Sequence, residues 1–392
     1  MKWIYSAPNR AHHLAFAQGL LQHGLLHRFL WAYPRISPRK DSGIPSSHLT
    51  RVDLWQTAFL LAARMRAPDP WLRRLDWRSK IALDRAASKH LHQADGYLFY
   101  NGTGLDSIRR FHGQGKWFAC EVVNAHVQFQ QEILCEEAER FGILPPRTFP
   151  PEVEKRVAEY AESDIVICPS RFVRRTLVEK GLPESRCFLV PYGIPPFAPR
   201  QTNASPDPSP ANRFRILYVG QLHLRKGLPY LFDAFEHLDH PRKELVLVGA
   251  DTPYNNIEKR LGQPGVHYRG VLHGNSLQAE FEQADLLVLP SVEDAFGLVV
   301  AEALAYGLPV ITTENAGAAD WIEPGTNGYV VPIRNPEAIH QHLQDLASEP
   351  ERLARLKASV QSLQNPELHW DAAKRRLAET LLSLEKRNDH DP

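Results

Sequence analysis

Cysteine is scarce in this chain. Four stand among 392 residues, Cys120, Cys135, Cys168 and Cys187. They form no Cys-x-x-Cys pair and have no histidine at zinc spacing, which argues against a disulfide framework and a structural metal site. They read as reduced, mostly buried thiols. No stretch approaches the roughly 20 apolar residues that cross a bilayer. The opening MKWIYSAPNR breaks too early for a signal peptide. The expected location is therefore the cytoplasm. Two familiar phosphate-binding patterns are also missing, Gly-x-x-x-x-Gly-Lys-Ser/Thr and Gly-x-Gly-x-x-Gly. Neither a recognition-helix module nor an RNP-like aromatic strand is visible, so no nucleic-acid partner is expected.

What is present suggests a soluble protein of two domains. The length exceeds a single ordinary core, and 43% hydrophobic with 23% charged residues suits a globular chain. Net charge is only +1, but it is unevenly spread. Residues 1–120 hold 18 Lys/Arg against 7 Asp/Glu, and the remainder is acidic. Such asymmetry points to an anionic surface met by the basic half. The stretch RMRAPDPWLRRLDWRSKIALDR, residues 64–85, interleaves Trp71, Leu72, Leu75, Trp77 and Ile81 with Arg73, Arg74, Arg78 and Lys80. That pattern fits an amphipathic helix on lipid headgroups at the inner face of a membrane, or a solvated helix whose tryptophans belong to the core.

Short apolar runs ending in turn residues recur along the chain: 2–8, 96–102, 117–121, 164–170, 187–193, then 214–220, 244–249, 266–270, 285–291 and 309–313. Helical periodicity fills the intervals, for example 171–180 and 228–238. Alternation of near-continuous apolar strands with helices predicts an α/β fold, with parallel sheets covered on both faces. Between the two sets lies PPFAPRQTNASPDPSPANR, residues 195–213, six of them proline, which reads as an interdomain linker. The expected division is 1–194, the linker, a second domain over 214–364, and a helical tail over 365–392. Two doubly wound domains joined once face each other across a cleft, with ligands beyond the carboxyl ends of the strands.

Two loops carry chemistry. In LYVGQLHLRKGLPYLF a strand ends at Gly220, a loop presents Arg225 and Lys226, and Gly227 opens a helix. Two cations beside a helix N-terminus make a site for an anion, most plausibly a diphosphate. In ADLLVLPSVEDAFGLVVAEALAYGLPVI a buried strand leads through a loop to a helix closed by Gly307, with Asp294 in the loop and Glu302 about one turn inside. Carboxylates so placed accept hydrogen bonds from sugar hydroxyls. Equally, they serve as a loop cap and a dipole-stabilising acid.

With GQLHLRKG, YRGVL, the segment 284–313 and EPGTNGYVVP in this order, residues 214–335 resemble the C-terminal domain of family 4 retaining glycosyltransferases (group 1), which have the GT-B fold of two Rossmann-like domains. PSRFVRRTLVEKGLP and LVPYGI resemble the family's segment before the linker. The resemblance implies a nucleoside diphosphate sugar as donor substrate and no required cofactor. It places the family's two spaced acids on Asp294 and Glu302, with neighbouring Glu293 as the alternative first acid. It gives Arg225 and Lys226 the donor phosphates, brings Phe296, Gly297 and Leu298 to the sugar and phosphates, and sets Arg269, Gly270 and Val271 near the base. From the first domain it implies a histidine, for which His126 is the expectation ahead of His12, His13 and His112. Many relatives carry Gly-Gly in the first loop; here Asn9 and Arg10 stand on the expected acceptor side. Gly317 is expected near the acceptor, with Asp320 capping the following helix, and the tail helix is expected to return to the first domain.

The implied activity is hexosyl transfer, with retained configuration and without metal, to a hydroxyl acceptor such as a lipid-linked or surface-polysaccharide glycan. Arg and Lys already neutralise the diphosphate, and no Asp-x-Asp stands ahead of the last five residues, which end Asp389-His390-Asp391-Pro392. A GT-B epimerase or phosphorylase, or a relative that only binds nucleotide sugar, remains as an alternative.

Overall fold

The computed structural model describes residues 1–145, 149–194, 213–252, 257, 259–362 and 366–388. The proline-rich stretch 195–213 lies outside them, apart from its last residue. Seven strands form a first sheet: β1 (Trp3–Ala7), β2 (Leu26–Trp31), β3 (Leu49–Arg51), β4 (Gly96–Tyr100), β5 (Trp117–Glu121), β6 (Ile165–Cys168) and β7 (Cys187–Leu189). Six form a second: β8 (Phe214–Val219), β9 (Lys243–Val248), β10 (Val266–Tyr268), β11 (Leu286–Leu289), β12 (Val310–Thr313) and β13 (Gly328–Val331). The orders are 3-2-1-4-5-6-7 and 10-9-8-11-12-13. Every pairing between named strands is parallel.

Both sheets are doubly wound, as the alternation of apolar runs predicts. Ten of the thirteen strands match runs legible in the sequence. In the first sheet the period of two sends Trp3 and Tyr5 to one face and Ile4 to the other. The Trp3 face packs on helix His13–Gln22 through Phe16 and Leu20. The Ile4 face packs on Leu83, Phe111, Tyr160 and Phe172 from four other helices. Helix Trp370–Asn388 lies against helix His13–Gln22, with Ala373, Leu377 and Leu381 buried in the first domain's core.

The basic stretch 64–85 is not one amphipathic helix. Arg64 closes helix Leu54–Arg64, and a separate helix runs Asp69–His90. Trp77 packs edge-on against Phe149 at 5.5 Å. Lys80 is buried, with its ammonium 2.7 Å from Asp76. Trp77 and Lys80 of the expected lipid-facing stretch are therefore engaged in internal contacts.

The sheets meet along the carboxyl ends of their strands. Ser170 Oγ donates to the Ala295 carbonyl at 2.7 Å, and Arg175 donates to Asn315 at 2.7 Å. Glu137, fully buried on helix Val127–Arg140 of the first domain, accepts from Tyr230 and Arg334 of the second. No described helix is long and apolar enough to cross a membrane.

Candidate active site

The loop after β8 is fixed by its own backbone. Residues Leu224–Lys226 form one 3-10 turn, in which His223 Nδ1 accepts from the Arg225 amide at 3.0 Å. Gly227 then takes φ +67° and opens helix Leu228–His237. A β-carbon there would lie 1.9 Å from the Pro290 carbonyl oxygen, so only glycine lets the chain pass this close to the end of β11. The Val292 amide donates to the Arg225 carbonyl at 2.9 Å, which locks the two functional loops together.

That contact brings the predicted cations to the predicted acids. Lys226 Nζ pairs with Asp294 Oδ2, and Arg225 Nη1 lies 3.0 Å from Glu293 Oε2. Burial pushes the Lys226 ammonium down, and repulsion from Arg225 adds to it, outweighing the pull of Asp294. Burial also works against Arg225, but Glu293 and Asp294 hold its pKa above the ordinary value. Burial alone raises Asp294, yet Lys226 and Arg225 bring it below the usual carboxylate range.

The two adjacent acids differ in kind. Glu293 is fully buried and accepts from Arg225, from the Ala125 amide at 3.2 Å and from Gln130 at 3.0 Å, so it ties the second domain to the first. Asp294 instead lines a cavity of about 460 Å³. Arg225, Lys226, Gly220, Phe296, Gly297, Leu298 and Glu302 share that lining. Gly297 is the N-cap of helix Leu298–Ala305, and no side chain caps this end. Its first turn therefore faces the cavity with its positive pole. Burial pushes Glu302 above the usual carboxylate range, with no other cause acting on it.

The first domain contributes a histidine that sequence reasoning ranked low. His12 lines the cavity, stacked at 3.9 Å on Tyr192, while its Nε2 lies 2.8 Å from Glu121. Glu121 also accepts from Tyr5 at 2.7 Å and lies 3.2 Å from His13. Burial would raise Glu121, but the two imidazoles hold it well below its ordinary value. Burial, then His13, lower His12 to about 4 against the pull of Glu121. His12, His13 and Glu121 bring three potential metal-ligand atoms within 4.8 Å of one another. The hydrogen bonds among them and to Tyr5 already pair those atoms, so the trio reads as a polar network. A signal for it was available: Glu121 ends an otherwise apolar strand and requires a partner.

His126 has another place. It is the N-cap of helix Val127–Arg140, its Nδ1 accepting from the Gln128 amide at 3.2 Å, and it does not line the cavity. Arg10 turns away as well, donating to the carbonyls of Arg39 and Asp41 beside a separate cavity. Arg269, Gly270 and Val271 lie outside the lining of the cleft, and Arg269 pairs with Glu280 at 3.3 Å. Gly317 sits at the domain interface, where a β-carbon would meet the Ala295 carbonyl at 2.0 Å. Asp320 caps a helix, but not the following one: it accepts from the Arg171 amide of the first domain at 2.7 Å.

Asn9 borders a second cavity, of about 590 Å³, at the carboxyl ends of β1 and β4. Helices Leu54–Arg64 and Asp69–His90 wall it with Gln56, Phe59 and Asp76, and Tyr100 closes the sheet side. Gln56 Oε1 is buried with no hydrogen-bond partner among the described residues. The Tyr100 ring meets His13 edge-on at 5.7 Å, so His13 stands between this cavity and His12 of the cleft.

The histidines make acid stability predictable. Burial, as the first cause, lowers His12, His126 and His223 each to about 4. An imidazole with a depressed folded pKa contributes stability that is complete above its unfolded value of about 6.5 and is lost as pH falls toward the folded value. The urea midpoint is therefore expected to drop between pH 6.5 and 4. His126→Asn keeps a capping acceptor but removes one titrating ring, so its midpoint should vary less with pH than the wild type's. Parallel profiles would refute the assignment.

The fold and the cleft define a class. Residues 199–362 match the model of the family described as Glycosyl transferases group 1. The described residues have the GT-B fold. It superposes on the sucrose-phosphate synthase of Thermosynechococcus elongatus with a TM-score of 0.70 at 17% identity, covering 99% of this chain and 100% of that one. Anabaena HepE in complex with UDP matches with a TM-score of 0.64 at 16% identity, covering 98% and 100%. In sequence the chain is 28% identical over 300 residues to the D-inositol 3-phosphate glycosyltransferase of Xylanimonas cellulosilytica, 70% of each. An uncharacterized glycosyltransferase of Methanocaldococcus jannaschii is 34% identical over 129 residues, 32% of this chain and 33% of that protein. Among the first curated relatives the match thus spans from a third to about two thirds of their own length.

Proposed function

We propose that the protein is a family 4 hexosyltransferase that moves a sugar from a nucleoside diphosphate sugar to a hydroxyl acceptor with retained anomeric configuration. One observation carries this reading: Arg225, Lys226, Asp294, Glu302 and an uncapped helix N-terminus converge on one cavity between two sheets. Anabaena HepE, of the same fold, is described in complex with UDP and with UDP-glucose, which favours a donor of this class.

In this reading the diphosphate lies against Arg225, Lys226 and the amide end of helix Leu298–Ala305. Asp294 receives a hydroxyl of the donor sugar, and Glu302 receives those of the ribose. The acceptor oxygen bonds to the anomeric carbon on the face from which the diphosphate departs. The bond from that carbon to phosphate oxygen breaks, the electron pair stays on the nucleoside diphosphate, and the departing oxygen takes the acceptor's proton. Fixed cations stabilise charge developing on that oxygen, where electrostatic catalysis acts most strongly, and no metal is required. His12, held by Glu121 and lining the first domain's wall of the cleft, is assigned the role expected of His126.

The division into an acceptor-side domain 1–194, a linker 195–213, a donor domain 214–364 and a returning helix 365–392 belongs to this proposal. The acceptor fits the second cavity, where Gln56 and Asp76 can bond hydroxyls and Phe59 and Tyr100 offer apolar faces, as a sugar requires. A lipid-linked or surface glycan handled in the cytoplasm is the class we assign.

A thermal-shift screen over UDP, GDP and ADP sugars tests the donor site. Ligand at 100 times its dissociation constant stabilises by about 2.7 kcal/mol, so one nucleotide series should raise the unfolding temperature and Glu302→Gln should reduce that rise. No shift with any series, at concentrations that saturate related enzymes, overturns the reading.

A further inference from the structure

Five of the twelve large hydrophobic side chains exposed among the described residues sit on one helical hairpin. They are Leu54, Leu60, Leu61, Met65 and Trp71, with Met65 82% and Trp71 65% exposed. Leu54, Leu61 and Met65 are spaced by seven and four, so they share one face of helix Leu54–Arg64 and its end. Trp71 follows across the turn, in the first turn of helix Asp69–His90. Trp77 and Lys80 of the stretch read from sequence are packed and paired, so the outward-facing group keeps Trp71, Arg74 and Arg78 from that stretch and adds Leu54, Leu60 and Leu61 from the helix before it.

Cations surround this apolar tip. Arg64, Arg66, Arg74 and Arg78 are exposed, and none makes an ion pair among the described residues. Arg78 instead stacks its guanidinium 4.8 Å from the Trp55 ring, and Asp69 is the one exposed acid on the hairpin. An exposed tryptophan, a methionine and leucines ringed by unpaired arginines match the two layers of a bilayer surface, acyl boundary and anionic headgroups. A water-facing hairpin has no use for the apolar part.

We propose that the hairpin of residues 54–78 docks the protein on an anionic lipid bilayer, with Leu61, Met65 and Trp71 entering the acyl boundary and the arginines meeting the headgroups. The inner faces of the same two helices wall the second cavity through Gln56, Phe59 and Asp76. Docking therefore brings that cavity to the membrane surface. The inference stands apart from the chemistry of the cleft, and nucleotide binding measured on the same samples separates the two.

Co-sedimentation with vesicles tests it, using phosphatidylcholine alone and phosphatidylcholine mixed with phosphatidylglycerol. The full chain should bind the mixed vesicles at least about tenfold better, and salt should weaken that binding, since basic residues near an anionic surface add an attraction that ions screen. Leu61→Asp with Met65→Asp should abolish sedimentation, and Arg64→Glu with Arg66→Glu should remove the preference for phosphatidylglycerol. Leu382→Asp, on an exposed position of the returning helix, should leave binding unchanged. Unaltered thermal response to nucleotide shows that the variants are folded. Equal binding to both vesicles, no binding to either, or hairpin variants that sediment like the wild type overturn the proposal.

Discussion

Lys226→Ala is expected to lower kcat/KM for glycosyl transfer by about 10² to 10³, the loss found when one preorganised donor to a developing oxyanion is removed. Lys226 is the cleaner of the two cations to test. Its only ion-pair partner among the described residues is Asp294, which also faces the cavity, so the change removes charge from the ligand's side without opening the interface. Arg225 also neutralises buried Glu293, and its loss would mix a folding defect with a catalytic one. The released Asp294 carboxylate adds repulsion toward the diphosphate, so Lys226→Ala combined with Asp294→Asn should recover part of the nucleotide affinity. Steady-state kinetics and nucleotide titration check both statements. Turnover within threefold of wild type would remove Lys226 from the mechanism.

Much of the second domain was legible because its strands are buried on both faces. Such strands read as continuous apolar runs ended by turns, and the functional loops are those turns. The strands that escaped notice have physical reasons. β3 and β13 are edge strands of three and four residues. β2 carries His27 and Arg28 half-buried in LHRFLW, which interrupts the apolar signal. Sequence order also misled where partners are far apart in the chain. His12 meets Glu121 across 109 residues, and Asp320 caps a helix 149 residues earlier. Spacing within a motif carries no trace of such pairs. The local pattern that favoured His126, a histidine just past a middle strand, was real, but the geometry uses that ring as a helix cap. In the hairpin, aromatic and basic residues alternate in sequence, yet only the tip's packing decides which of them face outward.

Glu293→Ala is expected to cost about 3 to 5 kcal/mol of stability, the range for removing one partner of a buried ion pair. The carboxylate is fully buried and serves three donors, Arg225, the Ala125 amide and Gln130. Two belong to the first domain and one to the loop after β8, so the change leaves a half-buried guanidinium and a buried amide unsatisfied at the domain interface. Glu293→Gln retains an acceptor for Ala125 and should cost less. Asp294→Asn should behave in the opposite sense. It removes the charge that faces Lys226 within the cavity, so turnover should fall steeply while the urea midpoint drops less than it does for Glu293→Ala. Comparing urea midpoints with kcat for the two positions thus decides which adjacent acid handles the sugar. If Glu293→Gln keeps its stability and loses turnover, while Asp294→Asn does the reverse, the roles are exchanged and the cleft must close differently around its ligand.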